Sequence, residues 1–106
     1  MEHRCGQRFA INLPGVLHVL GDTALAVTVR DVSTGGAFVE VPAGQPEPRG
    51  LVTLEFQVLP DDAPILWRAW VIRQQDDGAG LMFDDGELAS RLTFLRARRR
   101  RTVWPA

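Results

Sequence analysis

The amino-acid sequence predicts an all-β protein, a six-stranded antiparallel β-barrel followed by one C-terminal α-helix. Six short segments rich in alternating apolar residues are separated by turn sequences, and no long helical pattern lies between them. Such a pattern is typical of a closed or nearly closed antiparallel barrel. The last segment differs, because its leucines recur at helical spacing.

Composition supports one globular domain and argues against several other classes. The chain has 106 residues, 45% of them hydrophobic, and a net charge of −1, which argues against bulk attraction to nucleic acid or acidic membranes. Its one cysteine excludes an internal disulfide and a cysteine-based zinc site. No apolar run approaches the length of a membrane span, and the N-terminus lacks a signal-peptide pattern, so the expected compartment is the cytoplasm.

The first two predicted strands form a hairpin. The first covers residues 9–20 and is interrupted by Pro14-Gly15. Because proline within a strand is confined to edges and bulges, we expect a bulge or bend at that point. Gly21-Asp22 predicts the hairpin turn, and the second strand covers residues 23–32.

Four further strands follow the same alternation. They are predicted at residues 37–41, 51–59, 65–75 and 79–83. In the third of these four, Trp67 and Trp70 fall on opposite faces, so one side chain is expected inside the barrel and the other outside. Asp76-Asp77-Gly78 predicts the hairpin turn that precedes the final strand.

The C-terminal helix is expected over residues 84–98, with residues 99–106 as a tail. Asp84 is the predicted N-cap, and Glu87 three residues later completes a capping box. An apolar stripe would cover one open end or flank of the barrel, and it consists of Leu88, Leu92 and Leu95.

The sequence offers no catalytic constellation. His3 and His18 have no partner at catalytic or metal-binding spacing, and neither a nucleophile elbow nor a phosphate-binding loop is present. Paired acidic residues occur in predicted turns, where aspartate is favoured for its local hydrogen bonding. We therefore expect no enzyme activity, no metal site and no cofactor.

Two polar segments that are distant in sequence carry the candidate binding residues. Arg4 and Arg8 precede the first strand, and the segment Asp31-Val32-Ser33-Thr34-Gly35-Gly36-Ala37 separates the second strand from the third. Asp and Ser bond to nearby backbone and glycine permits positive φ, so this segment predicts a tight turn. Arginine forks suit phosphate and the O6/N7 edge of guanine, and a carboxylate suits ligand donors. A guanine nucleotide offers both kinds of partner.

Arg4-x-x-x-Arg8 followed by Asp31-x-Ser33-x-x-Gly36 resembles the two-part signature of PilZ domains, bacterial receptors for cyclic di-GMP. The segment Gly78-Ala79-Gly80-Leu81-Met82-Phe83 resembles the G-x-G-hydrophobic-x-F strand that closes the same fold. The resemblance covers nearly the whole chain. It implies a single PilZ domain with an arginine-bearing N-terminal loop at residues 1–8, a barrel at 9–83 and the C-terminal helix.

The same resemblance implies how cyclic di-GMP would bind. The N-terminal loop would fold over a ligand resting on the outer face of the barrel. Its arginines would contact phosphates and guanine edges, and Asp31 would accept from the guanine N1–H and N2–H₂ groups. Ser33 would bond the ligand or fix the turn. The implied ligand-binding residues are Arg4, Arg8, Asp31, Ser33, Gly35 and Gly36. His3 stands where many members carry a further arginine, so it is an accessory candidate that leaves affinity and stoichiometry open.

The implied function is reception of cyclic di-GMP and relay to an unidentified protein effector, by ordering of the N-terminal loop, in motility or biofilm regulation. The protein would be a monomer or a ligand-dependent dimer. An alternative is a degenerate PilZ-fold interaction module that binds no nucleotide, with the outward tryptophan and Trp104 as contact residues. Nucleic-acid or acidic-membrane binding through Arg96 and Arg98–Arg101 is disfavoured, because an arginine run at a chain end is generally solvated.

Overall fold

The structure is a computed structural model, and it describes residues 8–19 and 23–103. These residues form a closed barrel of six antiparallel strands, a short 3₁₀ turn and one helix. The strands are β1 (Phe9–Val19), β2 (Thr23–Val32), β3 (Gly36–Glu40), β4 (Leu51–Phe56), β5 (Ile65–Gln75) and β6 (Gly78–Phe83). The 3₁₀ turn is Asp85–Glu87 and the helix α1 is Leu88–Val103. The predicted fold class is confirmed, whereas the hairpin turn Gly21-Asp22 and Trp104 lie outside the described residues.

The strands follow one another around the barrel in the order β1-β2-β3-β6-β5-β4, with every pair antiparallel. The seam that closes the barrel joins β1 to β4, over the four pairs from Gly15–Phe56 to His18–Thr53. β4 ends at Phe56 rather than at the predicted residue 59. Among the described residues, no helix has both the length and the apolar character that a bilayer span requires.

Strand alternation fills the barrel with apolar side chains. Trp67 is inside and 1% exposed, whereas Trp70 on the same strand points outward and is 46% exposed. Four aromatic rings meet edge to face at 5.2–5.6 Å between centroids, and they are Phe56, Trp67, Phe83 and Phe94. Edge-to-face pairs add to the stabilisation from burial, so this cluster attaches α1, through Phe94, to the barrel.

The buried face of α1 differs from the predicted leucine stripe. Arg91, Phe94 and Leu95 are buried, whereas Leu88 is 46% exposed. The prediction was wrong at Leu88 because it followed leucine alone. The aromatic cluster recruits Phe94 instead, and this sets which side of the helix faces the barrel.

The predicted bulge exists but lies nearer the start of β1. Ala10 pairs with Asp31 and Leu13 pairs with Val29, so β1 has one residue more than β2 in this interval. Asn12 takes up the distortion with φ of 48°, a conformation that Asn tolerates better than most residues. Pro14 keeps regular register with β2, because β1 begins to pair with β4 only at Gly15.

The predicted capping box does not form. The backbone N–H of Asp84 donates to the Arg68 carbonyl at 3.1 Å, so this N–H is not available to the Glu87 side chain. Glu87 instead accepts the backbone N–H of Arg68 through Oε1 at 3.1 Å. Asp84 does cap the 3₁₀ turn, through the N–H of Gly86 at 2.9 Å. α1 then continues to Val103, past the predicted end at residue 98 and into the predicted tail.

Asp84 makes this junction sensitive to acid. The hydrogen bond from the Gly86 N–H lowers the pKa of the Asp84 carboxyl, and the nearby Arg68 guanidinium, 3.1 Å away, lowers it further. A depressed pKa in the folded state stabilises the fold above the unfolded pKa, and this stabilisation is lost as the pH falls through the folded value.

We expect Asp84→Asn to flatten the acid limb of the stability curve. Thermal unfolding followed by circular dichroism should show the wild-type Tm falling more steeply than that of Asp84→Asn below about pH 4, where an ordinary Asp titrates. Asp61→Asn, in the exposed loop before β5, is the matched control and should keep the wild-type slope. Equal slopes for wild type and Asp84→Asn would contradict this account.

Candidate functional site

The turn from Asp31 to Gly36 is held together by the hydroxyl of Ser33. This oxygen accepts the backbone N–H groups of Gly35 and Gly36 at 3.3 and 3.2 Å, and it donates to the Gly36 carbonyl at 3.4 Å. Ser33 is 4% exposed. Its described contacts therefore belong to the turn itself, which is one of the two roles anticipated for it.

Neither glycine of the turn adopts the positive φ that the sequence suggested. Among the described glycines, positive φ occurs at Gly44 and Gly50. Gly36 is required for a different reason, because a Cβ at this position would lie 2.4 Å from the backbone oxygen of Leu81 on β6. The turn lies directly against β6, and Phe83 fixes it there by donating its N–H to the Gly35 carbonyl at 2.8 Å.

Helix α1 supports the same turn through Arg91, a residue that sequence reasoning did not single out. The Arg91 Nε donates to the Thr34 carbonyl at 2.8 Å, and the guanidinium lies 4.6 Å from the centre of the Phe83 ring. A buried guanidinium over an aromatic ring contributes both packing and a cation–π attraction. The sequence did contain a signal for Arg91, because it lies three residues before Phe94 and therefore on the same, buried face of α1.

Arg8 and Asp31 meet in space, which joins the described parts of the two polar segments. Arg8 NH1 lies 3.2 Å from Asp31 Oδ1. The contact is an ion pair without hydrogen-bond geometry, so the shielded Oδ1 has no hydrogen-bond donor among the described residues. This oxygen keeps its capacity to accept an N–H donor, and such a donor reaches it when the Arg8 guanidinium moves aside. Arg4 and His3 lie outside the described residues.

Two bulges direct Asp31 outward. Beside the β1 bulge, β2 pairs with β3 through Val29–Val39 and then Asp31–Phe38, so Arg30 is the additional residue. Arg30 and Asp31 both reach the surface between two fully buried valines, where strict alternation would bury one of them. Arg30 is held aside by Asn12 Oδ1 at 3.0 Å and Glu40 Oε1 at 3.3 Å. Bulges of this kind frequently re-aim side chains beside functional sites.

An exposed apolar surface lies beside the turn, on the outside of β5 and β6. We call it the β5–β6 apolar face, and it consists of Leu66, Trp70, Ile72 and Met82, each 46–61% exposed. Met82 is the register partner of both Gly36 and Trp70. The face therefore begins at the end of the Asp31–Gly36 turn.

Other candidate sites in the described part of the chain lack comparable chemistry. Residues 8–19 and 23–103 contain no group of three His, Cys, Asp or Glu side chains placed to hold a metal ion. A groove of about 460 Å³ runs between β1 and β4 and includes none of the predicted binding residues. Its lining is mainly apolar, with Leu13, Phe56 and Leu59 among the contributing side chains.

Comparison with known proteins identifies relatives by domain and by fold. A family model described as the PilZ domain matches residues 2–97. No functionally curated protein sequence gives a significant match. One similar solved structure is an uncharacterized Legionella protein, with 18% identity, a TM-score of 0.56 and coverage of 91% of this chain and 96% of that one.

Two further solved structures are similar to this chain. The inhibitor of motility MotI/DgrA from Bacillus subtilis shows 17% identity and a TM-score of 0.68, over 98% of this chain and 55% of that one. The PilZ domain of CeSA from a cellulose-synthesizing bacterium shows 17% identity and a TM-score of 0.63, over 87% and 94%. At these identities the structural likeness supports the fold alone.

We expect Gly36→Ala and Gly80→Ala to differ sharply in stability. At Gly36 the new methyl would meet a backbone oxygen that cannot move aside, so the free energy of unfolding should fall by about 2 kcal/mol or more. At Gly80 it would meet the Arg73 side chain at 3.5–3.6 Å, an ordinary contact, so the change should stay below about 1 kcal/mol. Urea denaturation measures both, and similar losses would refute the close approach at Gly36.

We expect Arg91→Met to loosen the turn. Loss of the charged hydrogen bond to Thr34 should reduce the free energy of unfolding by about 2 kcal/mol and speed amide exchange at Gly35 and Gly36. Arg96→Met, at an exposed position on the same helix, should change it by less than about 0.5 kcal/mol. Exchange at the turn that matches the wild type would show that Arg91 does not support it.

Proposed function

The chain belongs to the PilZ domain family, and from that premise we propose that it is a cyclic di-GMP receptor that acts by binding rather than by catalysis. The proposed ligand-binding set is Arg4, Arg8, Asp31, Ser33, Gly35 and Gly36, with His3 as an accessory residue. Binding would order the N-terminal loop and change a surface that a protein effector recognises.

The observation that supports this proposal best is the contact between Arg8 and Asp31. It brings together the described parts of both halves of the family signature, at 3.2 Å. The shielded Asp31 oxygen also lacks a hydrogen-bond donor among the described residues, which favours a ligand that brings N–H groups. The N1–H and N2–H₂ groups of guanine form a two-donor edge of this kind.

Binding would proceed by exchange of partners. Guanine would take the Asp31 carboxylate, and the Arg8 guanidinium would turn from that carboxylate to a phosphate or a guanine edge. Ser33 would act indirectly, since its hydroxyl already bonds the Gly35 and Gly36 N–H groups and the Gly36 carbonyl. Ordering the loop costs about 1–2 kcal/mol per backbone residue fixed, so several ligand contacts must offset it.

The relay would use the connections of the turn. Arg91 bonds the turn to α1, and the Gly35 carbonyl bonds it to β6. A ligand shifts a conformational equilibrium only to the extent that it binds the two states differently. Here the difference would arise because the ligand contacts the N-terminal loop and the turn together, next to the β5–β6 apolar face.

A second candidate function is a protein-interaction module of the same fold that binds no nucleotide. The β5–β6 apolar face supports it, because an exposed tryptophan beside other apolar side chains is typical of interaction surfaces. The similar B. subtilis structure is an inhibitor of motility, a role compatible with protein binding. The two candidates differ in whether cyclic di-GMP binds at all.

Isothermal titration with cyclic di-GMP tests the proposal. We expect saturable binding by the wild type with a micromolar or lower Kd, and no comparable binding of GTP. Asp31→Ala and Arg8→Ala should each weaken binding about tenfold or more, the size expected for loss of a bidentate contact.

Matched variants keep the result specific. Asp61→Ala and Arg49→Ala remove one charge of each sign at exposed loop positions and should bind as the wild type does. If the wild type shows no saturable binding at high micromolar ligand, the receptor proposal fails and the interaction module stands. If it binds but Asp31→Ala and Arg8→Ala are unaffected, the ligand lies elsewhere.

A further inference from the structure

A row of register partners crosses the outside of the barrel from Asp31. Asp31 pairs with Phe38 on β3, Phe38 pairs with Gly80 on β6, and Gly80 pairs with Arg73 on β5. Phe38 and Gly80 face outward, because the residues on either side of each in its own strand are buried in the core. We call Asp31, Phe38, Gly80 and Arg73 the outer row.

Arg73 lies over the glycine of this row. Its Nε and NH2 atoms are 3.5 and 3.6 Å from the point that a Cβ of Gly80 would occupy. The side chain is therefore folded back across β6, toward Phe38 and Asp31. A β5 bulge between Val71 and Arg73 sets this position.

Arg73 also differs from the other arginines on the barrel wall. Arg8, Arg30 and Arg68 are each paired with a carboxylate. The exposed Arg73 guanidinium has no hydrogen bond or ion pair with any residue of the described ranges. Its five donors therefore remain available for a ligand on the outer row.

The distance between Asp31 and the Arg73 guanidinium is too long for a direct contact and is similar to the length of a dinucleotide. Gly80 is two strands away from Asp31, and neighbouring strands are about 4.8 Å apart, so the Arg73 guanidinium lies roughly 10 Å from Asp31. Direct pairing of these two side chains is therefore excluded in this arrangement. A dinucleotide is long enough to contact both.

We propose that Arg73 forms a second guanine subsite of the ligand-binding face, and this inference rests on the proposed function. Asp31 accepts from the donor edge of one guanine, and Arg73 donates its fork to the O6/N7 acceptor edge of the other. Phe38 lies between the two subsites with the tip of its ring against Gly78, and the missing side chain at Gly80 lets Arg73 lie close over β6. The face thereby selects a ligand with two guanines.

A comparison of two cyclic dinucleotides tests the assignment. In cyclic GMP-AMP one guanine is replaced by adenine, which presents an N6–H₂ donor where guanine has O6, so an arginine fork loses one acceptor. We expect Arg73→Ala to weaken cyclic di-GMP binding about tenfold or more, the size of a lost bidentate arginine–guanine pair. The same substitution should weaken cyclic GMP-AMP binding by less than about threefold, because adenine at the Arg73 subsite offers the wild-type arginine only one acceptor.

The controls separate this inference from the function on which it rests. Arg49→Ala removes the same charge from an exposed loop and should bind both ligands as the wild type does. If the wild type binds cyclic di-GMP and Arg73→Ala binds it equally well, the second subsite is refuted while the receptor function stands. Equal losses for both ligands would assign Arg73 to a phosphate and refute its reading of guanine. If the wild type binds neither ligand, the receptor function itself fails.

Discussion

The close approach of the Asp31–Gly36 turn to β6 is the constraint on which the proposed ligand-binding face depends. Position 36 has no room for a Cβ, since the Leu81 backbone oxygen would be 2.4 Å away. Because the turn lies so near, Phe83 can bond its backbone and Arg91 can reach it from α1. The Asp31 carboxylate thus projects from a turn that β6 and α1 hold in place.

This arrangement explains how a small barrel can connect a surface site to its helix. Arg91 contacts the Thr34 carbonyl on one side and the Phe83 ring on the other. Phe83 belongs to the edge-to-face cluster that includes Trp67 and Phe94. A displacement of the turn would therefore disturb the packing of the aromatic cluster that attaches α1 to the barrel.

The sequence predicts what depends on local periodicity and misses what depends on partners from other strands. Alternation was sufficient for six strands, and two short motifs were sufficient for the turn. The prediction of a capping box was wrong because the Asp84 N–H bonds the carbonyl of Arg68, a residue nineteen positions before Glu87. The buried face of α1 and the role of Arg91 likewise follow from the aromatic cluster, which forms only when the barrel closes.

The exposure of the Arg8–Asp31 pair favours its proposed role. The two side chains are 47% and 30% exposed, and ion pairs in such surroundings contribute about 0–1 kcal/mol. A bidentate contact between guanine and a carboxylate or an arginine is worth about 1–3 kcal/mol of discrimination. Opening the exposed pair therefore costs little, whereas a buried pair would resist opening because each charge would lose a well-shielded partner. A weak surface pair is thus suited to hold the arginine near its carboxylate and to release it when a nucleotide arrives.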